Sequence, residues 1–533
     1  MDGAHCEKQT AGTVQPGLGL ALDVAGPVAA SGSPEQPPAA PRVRRIDRQQ
    51  IQFRVLDVEK LVDSDHAVRA IWEVTGGVDL SAFYVPIAAR HGTAGRTPWD
   101  PRLLVAIWIY AYSRGITSAR EIERLLAYHP GFQWLAALEE INHHTLSDFR
   151  AGNREALDGL CIEVLGILRA ENLLTLERVV HDGTKVRACA GVDTFRSEDR
   201  LAVCLEEARE HVQALAAEEN DPELSARRRR ARERAARERL ERLERAVSEL
   251  RDLQQAAGHG REARTVRVST TEPEARIMKQ GDGGYAPSFN VQVTTDAKAG
   301  AIAAAGVTTE CGDSGQLMPA MDRVEEQLEQ MPGQVVADAG FTNRAAIEAT
   351  AGRGIDFYGS MGDGKAQSQG QLKRRGIDPA FFPEAFVYDP QADCYTCPAG
   401  QTLHYDGREA DPGVVHYRYR APWEVCSLCP SRSLCCPGSR PSGRSVVRSV
   451  ESLLVQQYRA KMETEDAKAV YKQRGALAEF PNAWLKEKLG LRRFRMRGLA
   501  KVTLEVLWAC LTYNLQIWMR RCWLPAQHAA ARA

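Results

Sequence analysis

Three short segments of the chain each hold one acidic residue in a setting suited to metal-ion chemistry: VVHDGTKV around Asp182, QVVADAGF around Asp338 and ALAEFPNAWLKEKLG around Glu479. More than a hundred residues separate neighbours, so only a fold can bring them together. Mg²⁺ and Mn²⁺ are held by a few carboxylates, with waters and substrate phosphate completing the shell. Two such ions about 3.5–4 Å apart activate a water or a 3′-hydroxyl and stabilise the leaving oxygen in phosphodiester cleavage, with no Ser or Cys nucleophile. Gly183 and Gly340 follow the two aspartates and allow a sharp turn or a close backbone approach. Taken singly, each acid has a plainer reading. The aspartates, Asp182 in a Val-rich strand and Asp338 at the end of another, read as surface groups, and Glu479 as an acid placed near a helix start for dipole reasons.

The neighbours of Glu479 add a basic surface. Tyr471 and Arg474 precede it, and Lys486 lies seven residues beyond. KEKLGLRRFRMRGLAK (486–501) carries seven basic residues against one acid, among them Lys486, Lys488, Arg492, Arg493, Arg495 and Arg497. It reads as a basic helix that binds nucleic-acid backbone, with Phe494 available to stack on a base. The alternative is a basic helix packed on its own protein. Net charge is zero, which excludes neither nucleic acid nor another partner, because patches matter more than totals.

Of thirteen cysteines, six lie in DCYTCPAG (393–400) and CSLCPSRSLCC (426–436). Two Cys-x-x-Cys pairs with two further thiols nearby match a tetrahedral Zn²⁺ site, against free thiols or redox chemistry. The N-terminus, MDGAHCEKQTAG, lacks the basic and apolar segments of an export signal, which favours metal over disulfides. Six thiols exceed four ligands, and spacing leaves open which two are spare. His181, His143 and His144 lack ligand spacing and read as structural or DNA-facing.

The elements that must position these groups read as an α/β chain of two or three domains. Residues 1–44 are a Gly-, Ala- and Pro-rich disordered tail, and 41–54 include a short basic arm. Residues 45–172 are expected to form a helical DNA-binding domain, the plainer alternative being a small structural bundle. PRLLVAIWIYAYSRG starts at Pro101 and stops at Gly115, SAREIERLLAY is capped by Ser118 with Glu121, and a third helix follows Thr145; Arg114 and Arg120 are its candidate DNA contacts. Val pairs in LERVVHDGTKV (176–186) favour a strand. The charged run 198–260 spaces Leu201, Leu205 and Ala208, then Leu240, Leu243, Val247 and Leu250, as an antiparallel helical hairpin. Its Arg227–Arg230 run faces DNA or solvent. A β-hairpin is expected over 285–309 with its turn near Asp296–Gly300, followed by helix, strand and helix. Residues 359–385 read as loop, 386–440 as the cysteine-rich insertion, 450–520 as helical and 521–533 as a frayed tail. The apolar stretches 103–111 and 504–519 are too short or too interrupted to span a membrane.

Together these stretches resemble transposases of the IS4/IS5-type superfamily, in particular the IS1182 family of bacterial insertion sequences, over about residues 45–520. PRLLVAIWIYAYSRGITSAREIERLLAYHPGFQWL and NHHTLSDFR carry the likeness in the first part. VVHDGTKVRA, GYAPSFNVQVTTD, VVADAGF and AEFPNAWLKEKLGLRRFRMRGLAKVTLEVLWACLTYNL carry it in the second. The resemblance implies an RNase H-like fold: a mixed five-stranded sheet with flanking helices, an N-terminal helical DNA-binding domain, and helical and zinc-binding insertions. It implies a DDE triad of Asp182, Asp338 and Glu479 holding Mg²⁺ or Mn²⁺, and zinc on Cys397, Cys426, Cys429 and Cys435, with Cys394 and Cys436 as extras. Tyr471, Arg474, Glu479 and Lys486 resemble the family's Tyr-Arg-Glu-Lys signature, with one extra residue between Arg474 and Glu479. Asn482 stands where the family has an aromatic, and Trp484 is the candidate replacement. The implied work is cleavage of element ends and attack of the freed 3′-hydroxyl on target DNA, by a homodimer or larger assembly in the bacterial cytoplasm, at no membrane. The rival readings are a metal-dependent nuclease without strand transfer, and a DNA-binding protein descended from a decayed element.

Overall fold

A computed structural model of the chain describes residues 49, 51, 55–89, 97–217, 226–257, 265–362, 364–438, 441–530 and 532. The expected N-terminal tail and most of the basic arm lie outside these residues. The described residues from Leu56 onward form one compact unit.

The first layer is helical: α1 (Ala67–Gly77), α2 (Pro101–Ser113), α3 (Ala119–Leu126), α4 (Pro130–Leu135), α5 (His143–Gly152) and α6 (Arg154–Ala170). Asp100 caps α2 by accepting from the Arg102 N–H at 2.8 Å, and Pro101 occupies the first turn, where its missing N–H costs nothing. Every residue from Leu104 to Tyr112 is buried, so α2 is a central helix rather than an amphipathic surface one. Ser118 caps α3 through the Glu121 N–H. The single helix expected after Thr145 is two, broken at Asn153, whose side-chain amide bonds the Phe149 carbonyl at 2.7 Å.

β1 (Arg178–Arg187) then begins a mixed sheet with β2 (Arg276–Lys279), β3 (Tyr285–Asp296), β4 (Ile302–Thr308), β5 (Gln334–Ala337) and β6 (Asp356–Tyr358). β3 runs antiparallel to β1 along one edge and pairs with β4 and β2 along the other. β5 lies parallel to β1 on its far side, and β6 parallel to β5. The order β4–β3–β1–β5–β6, three antiparallel strands followed by two parallel ones, is the RNase H-like arrangement, with β2 extending the lane of β4. Helices α9 (Leu317–Leu328) and α10 (Arg344–Gly352), counted after the hairpin pair below, supply the parallel connections.

The charged run between β1 and β3 is a helical hairpin, α7 (Glu198–Ala217) and α8 (Ala226–Ala256). Leu201, Ala208, Leu243, Ala246 and Leu250 form its own small core with Val268, apart from the main one. Residues 359–385 are not all loop, since Gly364–Arg374 is helical. The cysteine-rich segment folds with its flanks into a second, antiparallel sheet of β7 (Val387–Asp389), β8 (Cys394–Thr396), β9 (Thr402–Asp411), β10 (Val414–Arg420) and β11 (Ser445–Glu451).

The chain closes with α11 (Leu453–Met462), α12 (Glu465–Lys472), α13 (Arg474–Glu487) and α14 (Leu499–Trp518). The expected tail from 521 is helical over Leu524–Ala530. α14 is buried almost all round, against α2 and α6 on one side and β4 on the other, so the N-terminal helices and the sheet share one hydrophobic core. No helix among the described residues is long and apolar enough to cross a membrane.

The basic stretch after α13 is not a helix. Residues 488–498 run through turns and bends and meet the end of β1 at one bridge, between Arg493 and Arg187, the Phe494 N–H donating to the Arg187 carbonyl at 2.9 Å. Phe494 is 1% exposed and meets Phe289 edge-on, so it is a core residue and does not stack on a base.

Candidate functional site

The parallel register of β1 and β5 pairs His181 with Ala337, so Asp182 and Asp338 are the next residues along neighbouring strands. β1 alternates its faces. His181, Gly183 and Lys185 share one face, while Val180 and Asp182 share the other, on which Ala478 of α13 packs against Val180 and Val336. Asp182 Oδ1 accepts from the Gly183 N–H at 3.0 Å, and Asp338 Oδ1 from the Gly340 N–H at 2.7 Å. Burial, and after it the negative charge of Asp338, raises the Asp182 carboxyl to about 6, against the pull of the Gly183 N–H and of Arg474. Two partly desolvated carboxylates side by side are short of positive charge, which is what a divalent cation supplies.

α13 lies across Asp182. Ala478, Asn482 and Leu485 form its buried face, and the Asn482 Nδ2 donates to Asp182 Oδ2 at 2.9 Å. Glu479, Asn482 and Lys486 follow one stripe of the helix at spacings of three and four. Glu479 is exposed, on the turn before Pro481, whose missing N–H removes one backbone tie between that turn and the next. The structure thus brings Asp182 and Asp338 together and docks the helix of Glu479 beside them, while the Glu479 carboxylate stays in solvent. Among the described residues no three His, Cys, Asp or Glu side chains stand as a ready metal-holding group.

The roles of two polar residues at this site escape a reading of the sequence. One is Asn482, marked there only as standing in place of an aromatic. The other is Asp313, in the turn before α9. It accepts from Asn290 Nδ2 at 2.8 Å, from Gln292 Nε2 at 3.2 Å and from Lys185 Nζ at 3.2 Å. Burial works to raise its carboxyl, but these donors and the Lys185 charge outweigh it and the net shift is downward. Asp313 also explains Gly183, where a Cβ would stand 2.5 Å from Asp313 Oδ1. The one available signal was that glycine in the middle of a Val-rich strand. His181 is fully buried between Thr294 Oγ1 and Gln292 Oε1, and burial lowers it to about 4, so it is a neutral structural residue. His143 pairs with Glu123 at 2.8 Å.

The expected DNA contacts fall in two groups. Arg474 lies over the Tyr471 ring at 5.9 Å, and its charge reaches Asp182. Burial, and then Arg492, lowers the ammonium of half-buried Lys486, while Asp182 acts to hold its charge. Lys488, Arg492, Arg493, Arg495 and Arg497 are exposed, with Arg492 paired to Glu487 and Arg493 Nε bonded to the Ala188 carbonyl at 3.1 Å. Arg114 and Arg120 are exposed on the helical layer. Arg114 is drawn to the same region because Gly115 and Gly490, both in the left-handed region (φ +72° and +76°), touch backbone to backbone. A Cβ on Gly115 would meet the Lys488 carbonyl oxygen at 2.9 Å. Trp484 packs on Phe480 and bonds Gln516 at 2.8 Å, on the side away from Asp182's amide partner.

Beside the second sheet, Cys397, Cys426, Cys429, Cys435 and Cys436 line one small cavity of about 20 Å³; Cys394 does not line it. The Cys397 sulfur accepts from the Gln401 N–H at 3.3 Å and that of Cys426 from the Arg444 N–H at 3.4 Å. The adjacent Cys435 and Cys436 sulfurs are 3.9 Å apart; their mutual contact holds the Cys435 thiol up and lowers Cys436 to about 6.

Two family models match parts of the chain. One, described as a transposase DDE domain, matches residues 396–518, from the cysteine-rich sheet through Glu479 to the end of α14. The other, described as a transposase domain, matches residues 56–152, within the helical layer. Asp182 and Asp338 lie between the two matched stretches. No curated protein matches the chain.

Proposed function

We propose that this chain, a transposase-family protein with a DDE-transposase-like catalytic domain, cuts DNA at the ends of a bacterial mobile element and joins the freed ends to target DNA. Asp182, Asp338 and Glu479 are the acids we assign to the divalent-metal site. The observation that carries the reading is the juxtaposition of Asp182 and Asp338 on neighbouring parallel strands, with the helix of Glu479 tied to Asp182. The donor set fits Mg²⁺ or Mn²⁺, because it offers hard carboxylate oxygens while the adjacent imidazole is turned to the other face. Bound there, such ions would activate the attacking oxygen and offset charge on the phosphate. In cleavage a water oxygen bonds to phosphorus and the bond to O3′ breaks, leaving a 3′-hydroxyl. In joining, that oxygen displaces another O3′ from a target phosphate, so the number of phosphodiester bonds is unchanged.

Glu479, in solvent beside Pro481, completes the acid set by turning inward. The exposed cations from Lys488 to Arg497, with Arg114 across the Gly115–Gly490 contact and Arg120 beyond, are placed to neutralise DNA phosphates, and Arg474 and Lys486 act nearest the acids. Holding two element ends calls for a homodimer, the assembly proposed here on the resemblance alone. Cys397, Cys426, Cys429 and Cys435, which line one cavity though they do not stand as a ready metal-holding group, are the thiols we assign to structural Zn²⁺, an all-thiolate set with no position left open for catalysis. The test uses DNA carrying the flanks of the gene. Wild type with Mg²⁺ or Mn²⁺ should cut the ends and give joined products, while Asp182→Asn should lose cleavage and keep DNA binding. Hydrolysis with no joined product would sink the joining step, and undiminished cleavage by Asp182→Asn would sink the acid assignment.

A further inference from the structure

Asn482 is an anomaly on energetic grounds. It is 8% exposed on the inner face of α13, and its Oδ1 is buried without a partner. An unsatisfied buried carbonyl oxygen is destabilising, and an apolar side chain of the same size would avoid that cost. What the amide does make is one hydrogen bond, from Nδ2 to Asp182 Oδ2 at 2.9 Å, across 300 residues of sequence. With the Gly183 N–H on Oδ1, this fixes both oxygens of Asp182, one by its own strand and one by the helix of Glu479.

We propose that Asn482 is a positioning residue of the acidic site, holding the Asp182 carboxylate in one orientation and tying the Glu479 helix to it. The proposal rests on Asp182 being a metal ligand, as read above. Groups that orient a metal-binding carboxylate typically change metal affinity about 10–100-fold when removed. A residue kept for packing behaves differently: its loss lowers stability and leaves the affinity of a folded protein alone.

The experiment measures Mn²⁺ affinity of the full chain without DNA, by the electron paramagnetic resonance signal of the free ion, together with the thermal melting of each variant. Asn482→Leu fills the space, Asn482→Ala empties it, and Asp182→Asn removes the carboxylate. Expected are loss of tight Mn²⁺ binding in Asp182→Asn, a roughly 10–100-fold weaker affinity in both Asn482 variants, and melting of Asn482→Leu at or above that of wild type. Wild-type Mn²⁺ affinity in folded Asn482→Leu and Asn482→Ala, with binding lost in Asp182→Asn, overturns the role of Asn482 alone. Equal Mn²⁺ binding by wild type and Asp182→Asn overturns the acidic site itself. Failure of both Asn482 variants to fold assigns the residue to the core and likewise overturns the proposal.

Discussion

Asp182 is the residue at which stability and function pull apart. Its folded carboxyl titrates near 6 rather than 3.8, so between those values the native chain holds a proton that the unfolded chain has released. Stability therefore falls as pH rises through that window, and the cost of the buried charge is fully present above it. Two pKa units set a ceiling of about 3 kcal/mol, and partial solvent contact brings this to about 1–2 kcal/mol. Asp182→Asn should accordingly be more resistant to urea than wild type at pH 7.5 in the absence of metal, with the difference fading below about pH 4. A variant less stable than wild type at pH 7.5 would show that burial is not the controlling effect. The two aspartates stand in local patterns that a sequence shows, a Val-rich segment followed by Asp-Gly or Asp-Ala-Gly. Asn482 and Asp313 do not, since what matters about each is a contact with a strand far away in the chain, and an Asn or Asp alone carries no trace of it.

At the scale of elements, short-range periodicity was readable and competing signals were not. The helical hairpin, the β-hairpin turning at Asp296–Gly300, and the caps at Pro101 and Ser118 follow local rules and fold as expected. The stretch after Glu487 misled because its charge drew attention from its period: Phe494 and Met496 are buried while Arg493, Arg495 and Arg497 are exposed, an alternation of two that does not suit a helix. Because α7 and α8 have their own core, replacing residues 206–245 by a short Gly-Ser turn should leave the melting of the remainder within a few degrees of wild type. Residues 226–245 hold ten arginines against four glutamates. For every DNA phosphate that these arginines neutralise, the deletion should flatten the dependence of log affinity on log salt by about 0.9, and an unchanged slope would exclude this arm from the DNA. The cysteine sheet makes its own prediction. Purified protein should carry one zinc per chain by atomic spectroscopy, and chelation should speed amide exchange over 397–436; metal-free protein with the same exchange would remove zinc from the account.

For the whole molecule, the decisive feature is that α14 lies between the helical layer and the sheet. Glu505 on α14 is fully buried and accepts from the Arg495 N–H at 2.8 Å and from the Met496 N–H, and it feels the charge of Arg150, itself 4% exposed and bonded to the Thr117 carbonyl. Burial raises Glu505 to about 6 against the pull of Arg150. Removing it leaves the Arg495 and Met496 N–H groups without their acceptor, so Glu505→Ala should cost on the order of 3 kcal/mol in chemical denaturation. It should also shift the helical layer and the sheet together in one transition; two separated transitions would mean that the layers fold independently. The order of synthesis gives α14 a further consequence. The helical layer is complete at Ala170, yet the helix that covers its apolar face begins only at Leu499, about 330 residues later. At roughly 5–20 residues per second, that face waits on the order of 20–60 s for its cover on a growing chain. A product that stops short of Leu499 never buries it, so premature termination yields a chaperone client rather than a small DNA-binding fragment able to compete with the full-length protein.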